Sequence, residues 1–146
     1  MTIRARILRV ASPLLLLYWH LKPYSRVVRV VVRHEGNILF LKHSYGADKW
    51  GIPGGGIKYC EDILKSAERE VQEETALALS GITAVANNPI RQTRAELWVF
   101  TANATSPDFV IDDVEIIEAK WFPENELPQE ILMQAITALE AAGVVV

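Results

Sequence analysis

Apolar and polar positions divide the chain into alternating extended and helical segments. Arg26–Arg33 is rich in valine and is predicted as a strand, and Ile38–Lys42 as a second. Glu35-Gly36-Asn37 between them supplies turn residues, so the pair reads as a hairpin. Residues 43–60 hold Gly46, Gly51, Pro53 and a glycine triplet, a loop with a short strand near Trp50–Ile52. Asp62 is placed to cap a helix from Ile63 to about Ala78, with Gly81 punctuating its end. Strands are expected near Ile82–Ala86, Arg94–Ala102 and Ile116–Phe122, and a last helix over Pro128–Ala142, ended by Gly143. The mixture predicts an α/β fold, a mixed sheet with helices on both faces.

The front of the chain stands apart. Val10–Trp19 is an apolar run, too short for a membrane span of about 20 residues. Pro13 interrupts it and no small-residue cleavage site follows, which argues against a signal peptide. Ser12 and Pro13 suit the start of a helix over about 13–22. Residues 1–24 are therefore read as an N-terminal helical extension and 25–146 as one domain. Docking on the domain or in a homodimer is its expected role, with membrane-surface contact as the alternative.

Composition narrows the class. A chain of 146 residues, half hydrophobic and 23% charged, is globular and not disordered. Cys60 is the single cysteine, so no intramolecular disulfide forms and a cytoplasmic location is expected. The net charge of -3 conceals an asymmetry. Residues 1–34 carry Arg4, Arg6, Arg9, Lys22, Arg26, Arg29 and Arg33 and no acid, so all 18 acids lie beyond them. An anionic body of this kind argues against nucleic acid as a partner.

The predicted central helix breaks its own pattern. At ~100° per residue, Ile63, Ala67, Val71 and Ala78 form an apolar stripe. Glu74 projects into it, and Glu70 lies about 20° outside Ile63. Buried carboxylates lose hydration, Glu70 repels both Glu73 and Glu74, and the helix C-terminus disfavours all three. Arg69 can pair with Glu73, but no base stands three or four positions from Glu70 or Glu74. A cation would relieve these costs together, and an all-oxygen donor set favours Mg²⁺ or Mn²⁺.

Gly54-Gly55-Gly56 precedes this helix, and its spacing carries the next step. Gly55, Glu61, Arg69, Glu70, Val71, Glu73, Glu74 and Leu77 fall in register with the motif G-x5-E-x7-R-E-U-x-E-E-x-G-U, where U is bulky and aliphatic. In these residues the chain resembles the Nudix hydrolases. Trp50–Gly54 and Trp121-Phe122-Pro123 extend the likeness to roughly Val27–Ala142. Two positions depart: Ala76 stands where the motif has glycine, a mild change unless a positive φ is needed, and Cys60 stands where many relatives have glycine.

The resemblance implies a Nudix-type α/β/α sandwich and metal-assisted attack of water on a diphosphate. It makes Glu70, Glu73 and Glu74 metal ligands, with a carbonyl from Gly55 or Gly56 and support from Glu61. Arg69 becomes an orienting partner. A further acid is expected before the closing strand: Glu115, with Asp112, Asp113 and Glu118 behind it. Glu70 and Glu115 both qualify as general base, and Glu70, Glu73, Arg69 and Glu115 form the catalytic set. Arg29, Arg91 and Arg94 are candidates for phosphate, and Trp50, Tyr45 or Trp98 for a base. Of His20, His34 and His43, only His43 lies in the loop approaching the site. The expected substrate is nucleotide-like, such as ADP-ribose or an oxidised nucleoside triphosphate. An RNA 5′ end, a nucleotide sensor without catalysis and a membrane-docked interaction module are the alternatives.

Overall fold

A computed structural model describes residues 25–85, 90–92 and 95–146. Its strands are β1 (Ser25–His34), β2 (Asn37–His43), β3 (Leu79–Ala84), β4 (Ile90–Gln92), β5 (Ala95–Ala104) and β6 (Ile116–Pro123). Its helices are α1 (Ile63–Thr75) and α2 (Met133–Ala141). The expected extension over 1–24 lies outside the described residues. Among those described, no helix is long and apolar enough to cross a membrane.

The mixed sheet runs β3-β5-β1-β2-β6, with β4 also on β5. The hairpin turns on Glu35 and Gly36, both at positive φ, as a tight two-residue connection requires. Its strands then part after two pairs, Arg33 with Ile38 and His34 with Asn37. The glycine loop enters the gap. Val28 N–H donates to Gly55 C=O at 2.9 Å and Val30 N–H to Pro53 C=O at 2.8 Å, while Gly51 exchanges two bonds with Leu41. The loop is thereby built into the sheet. On its other edge β1 pairs in parallel with β5, from Ser25 with Ala95 to Arg33 with Asn103.

Strand alternation creates two cores. Val27 and Val31 join Ile38, Phe40, Leu97 and Val99 under Ala135, Ala138 and Leu139 of α2. Val28, Val30 and Val32 join Leu39, Leu41, Phe100 and Ile116 under Ala67 and Val71 of α1. Helices on both faces match the expectation.

Several boundaries differ. α1 ends at Thr75, not near Ala78, because Ala76 adopts a left-handed conformation (φ 55°) and its N–H closes on Gln72 C=O. Gly81, expected to stop the helix, instead takes positive φ inside β3, where the register with β5 shifts. The last helix begins at Met133 and not at Pro128. Ile131 bridges Trp50, whose C=O takes the Leu132 N–H, so that stretch is held extended. β4 was not expected from the sequence.

Candidate functional site

Asp62 begins α1 as its sequence suggests, its Oδ1 accepting from Lys65 N–H at 3.0 Å. From there the helix carries its glutamates to two different surroundings. Glu74 is 4% exposed and lies among buried Val71 and Thr75. Its Oε2 accepts from Gly54 N–H at 2.9 Å, and its Oε1 lies 3.1 Å from His43 Nε2. Gly54 permits this approach through φ 142°; a Cβ there would overlap Val28 C=O and press on the Arg29 Cα. The next carbonyls bind the loop before β6: Glu74 C=O accepts from Asp112 N–H at 3.2 Å, and Thr75 C=O from Val110 N–H at 2.9 Å.

That loop brings Glu115 in. Ser44 N–H donates to Glu115 C=O at 2.8 Å, and Ser44 Oγ to Val114 C=O at 2.7 Å. Burial raises the Glu115 pKa, Asp112 and Glu74 raise it further, and His43 opposes them. The Tyr45 hydroxyl is pushed up to about 12 by burial and then by Glu115 and Glu74. Its ring stands 5.4 Å from that of His43.

The outer half is organised by Arg69. Nε donates to Glu61 at 2.7 Å, Nη1 to Glu70 at 2.7 Å and Glu73 at 3.1 Å, and Nη2 to Gly56 C=O at 3.0 Å. The guanidinium, with the Lys58 N–H, holds the Glu61 pKa down at about 2. Glu70 goes the other way. Burial raises its pKa, and Glu74 and Glu73 add to the rise, although Arg69 opposes them. Its carboxylate lies against the Gly55 Cα, where any side chain would collide with it. Glu73 is the open member, 55% exposed.

Among the described residues no three acidic, imidazole or thiolate groups converge closely enough to hold a metal ion. Arg69 occupies one oxygen of Glu70 and one of Glu73. The donor chemistry still fits a hard cation, since Glu70 and Glu115 are carboxylates each within electrostatic reach of Glu73 and Glu74. The carbonyls of Gly55 and Gly56 each already accept one hydrogen bond, which leaves each a lone pair.

The remaining candidates scatter. Arg29 lies half-buried and donates to Gln134 Oε1 at 3.1 Å and Val28 C=O at 3.3 Å. Trp50 packs edge-on against Phe122 with Lys42 4.9 Å from its ring centre, so its ring is engaged within the α2-side core. Trp98 joins the α1-side core, and its buried Nε1 has no partner among the described residues. Asp112 Oδ1 accepts from Val114 N–H, Asp113 is exposed and Glu118 pairs with Lys42. His34 is structural, bonded to Ala104 C=O at 3.0 Å. Cys60 is exposed. Arg94, His20 and the Arg91 side chain lie outside the described residues. His43, expected in the loop, closes strand β2, and sequence reasoning missed its pairing with Glu74 because 31 positions separate them and no periodicity links the end of a strand to a helix.

Comparison with known proteins bears on the family and the fold. Over 100 residues the chain is 28% identical to the NAD-capped RNA hydrolase NudC of Salmonella schwarzengrund, covering 68% of this chain but 39% of that protein. The chain therefore spans well under half the length of the curated relatives it matches. The fold is similar to a MutT NUDIX hydrolase from Burkholderia pseudomallei (TM-score 0.72, 24% identity, 82% of this chain and 98% of that one). It is also similar to the NUDIX domain of Shewanella oneidensis NrtR complexed with ADP ribose (TM-score 0.68, 22% identity, 86% and 90% covered). The NUDIX domain pattern matches residues 23–140, and the chain belongs to the Nudix family.

Proposed function

We propose that the chain is a hydrolase of phosphorus acid anhydrides that cleaves the diphosphate of a nucleoside diphosphate-linked or nucleoside triphosphate substrate, using Mg²⁺ or Mn²⁺. One observation carries the reading. Glu70 is a largely buried carboxylate set against Gly55 within electrostatic reach of Glu73 and Glu74, and burial raises its pKa even with Arg69 bonded to it. Such a group gains from meeting a cation or taking a proton from water. Glu115, an exposed residue whose pKa is raised by partial desolvation and by Asp112, is the second candidate base.

Glu70, Glu73 and Glu74 would hold the metal, with a Gly55 carbonyl and Glu61 in support. Bound there, it would lower the pKa of water and offset phosphoryl charge. The chain's own contribution is positional. Arg69 orients Glu61, Glu70 and Glu73, while Gly54 and His43 fix Glu74. ADP-ribose-like or oxidised nucleotides are the favoured substrates, supported by the ADP-ribose complex of the NrtR domain.

The test is incubation of the full chain with a panel of diphosphate compounds and Mg²⁺, reading products by mass. Nucleotide products are expected. Tight binding without products would mark a nucleotide sensor instead. The likeness to NudC supports a second reading, hydrolysis at RNA 5′ ends. It calls for RNA binding that weakens steeply with salt.

A further inference from the structure

The described arginines differ in one respect. Arg26 pairs with Glu96, Arg33 with Glu124, and Arg69 with Glu61, Glu70 and Glu73. Arg29 has no carboxylate at ion-pair distance among the described residues, in a chain whose net charge is -3. It lies half-buried between buried Val28 and Val30. Among the described residues only neutral acceptors meet it: Gln134 Oε1 in the first turn of α2, and Val28 C=O. A guanidinium presents a fork of several donors, so two such bonds leave part of it unused.

Its position gives that unused capacity a purpose. Gly54 sits so close to the Arg29 backbone that a Cβ there would press on the Arg29 Cα, and its N–H donates to Glu74. Tyr45 lies within electrostatic reach of Arg29 and also of Glu115, Glu74 and Glu70. The acidic cluster and the unpaired cation thus flank Gly54 and Tyr45. We propose that Arg29, with Gln134 beside it, is an anion subsite for the phosphoryl group on the half of the diphosphate that water does not attack. This rests on the reading of the acidic cluster as a diphosphate site. It implies a substrate that keeps a negative charge on both phosphoryl groups and lies across Gly54. Phosphoryl oxygens suit the guanidinium because two parallel bonds can form.

Two variants test the subsite on the full chain. Arg29→Gln removes the cation. Gln134→Glu leaves Arg29 in place and supplies a carboxylate to occupy it. Binding of a nucleoside methylene-diphosphonate, which cannot be hydrolysed at the bridge, is measured by calorimetry with Mg²⁺ present. Both variants are expected to weaken binding about tenfold or more. Gln134→Glu should do so without lowering the thermal midpoint. Wild-type affinity in folded Arg29→Gln or in Gln134→Glu overturns the subsite, even where the wild type turns over diphosphates. A wild type that neither binds the analogue nor hydrolyses any panel member brings down the diphosphate reading and the subsite together.

Discussion

Glu70 and Glu74 stand one helical turn apart on α1, yet they are held by opposite means. The outer one shares a single cation with Glu61 and Glu73, through bonds that begin within its own helix and the residues just before it. The inner one is gripped by a backbone N–H and an imidazole from distant parts of the chain. Charge placed near an acid in sequence controls the outer half. Topology controls the inner half, because only the sheet can deliver Gly54 and His43. The outer half should therefore respond to charge and pH, and the inner half to shape.

The largest effect is expected from shape. Gly54→Ala forces a side chain into φ 142° against the Val28 carbonyl, and should cost about 3 kcal/mol or more in denaturant unfolding. A fully stable variant would mean the inner half is not rigid. Next comes chemistry: Glu70→Gln should lower kcat by about a hundredfold with unchanged circular dichroism, if the carboxylate aids charge or proton transfer. Glu74→Gln should match that loss and also unfold more easily, since an amide cannot accept from both Gly54 and His43. Equal stability in the two variants would erase the distinction between the halves.

Arg69→Lys should cost about 1–3 kcal/mol, because an ammonium cannot serve Glu61, Glu70, Glu73 and Gly56 in the fixed geometry of a guanidinium. A smaller gain is expected from Ala76→Gly, about 1 kcal/mol in stability, since it relieves the left-handed conformation at the helix end. The subtlest difference is in pH dependence. Glu61 is held near 2, so its contribution is present above about 4.5 and lost as pH falls towards 2. The Glu70 pKa is raised, so its contribution is present below about 4.5 and lost as pH rises through the higher value. Unfolding free energies of Glu61→Gln and Glu70→Gln, each subtracted from wild type across pH, should slope in opposite directions. Parallel slopes would refute the assignment.

These contrasts also mark what the amino-acid pattern could disclose. Periodicity placed Glu74 in the apolar stripe of α1, and it is buried. The hairpin, both helical layers and the Asp62 cap follow from local rules that neighbouring residues obey. The C-terminus of α1 did not. Only the glycine that the motif has at this position hints at the left-handed backbone of Ala76; the bonds from Val110 and Asp112 to the last turn's carbonyls have no local sign at all. Pro128 resembles a helix start, yet the following residues bond to Trp50, which no local pattern reveals. In the site, the acids were legible because desolvated charge is anomalous on its face. Their pairings were not: the sequence marks Gly54 and His43 as near the site, but only the sheet shows that both meet Glu74.

The parallel pairing of β1 with β5 has a kinetic consequence. Its partners lie roughly 70 residues apart, Ser25 with Ala95, and the glycine loop and α1 both fall within that span. The β1–β2 turn can close as soon as it leaves the ribosome. The acidic cluster has to wait, since β1 gains its second neighbour only after β5 has been synthesised. Such long-range closure is slow compared with local contacts. Maturation of the site should accordingly be one of the last events in folding, with a nascent intermediate that has its first hairpin and no competent centre.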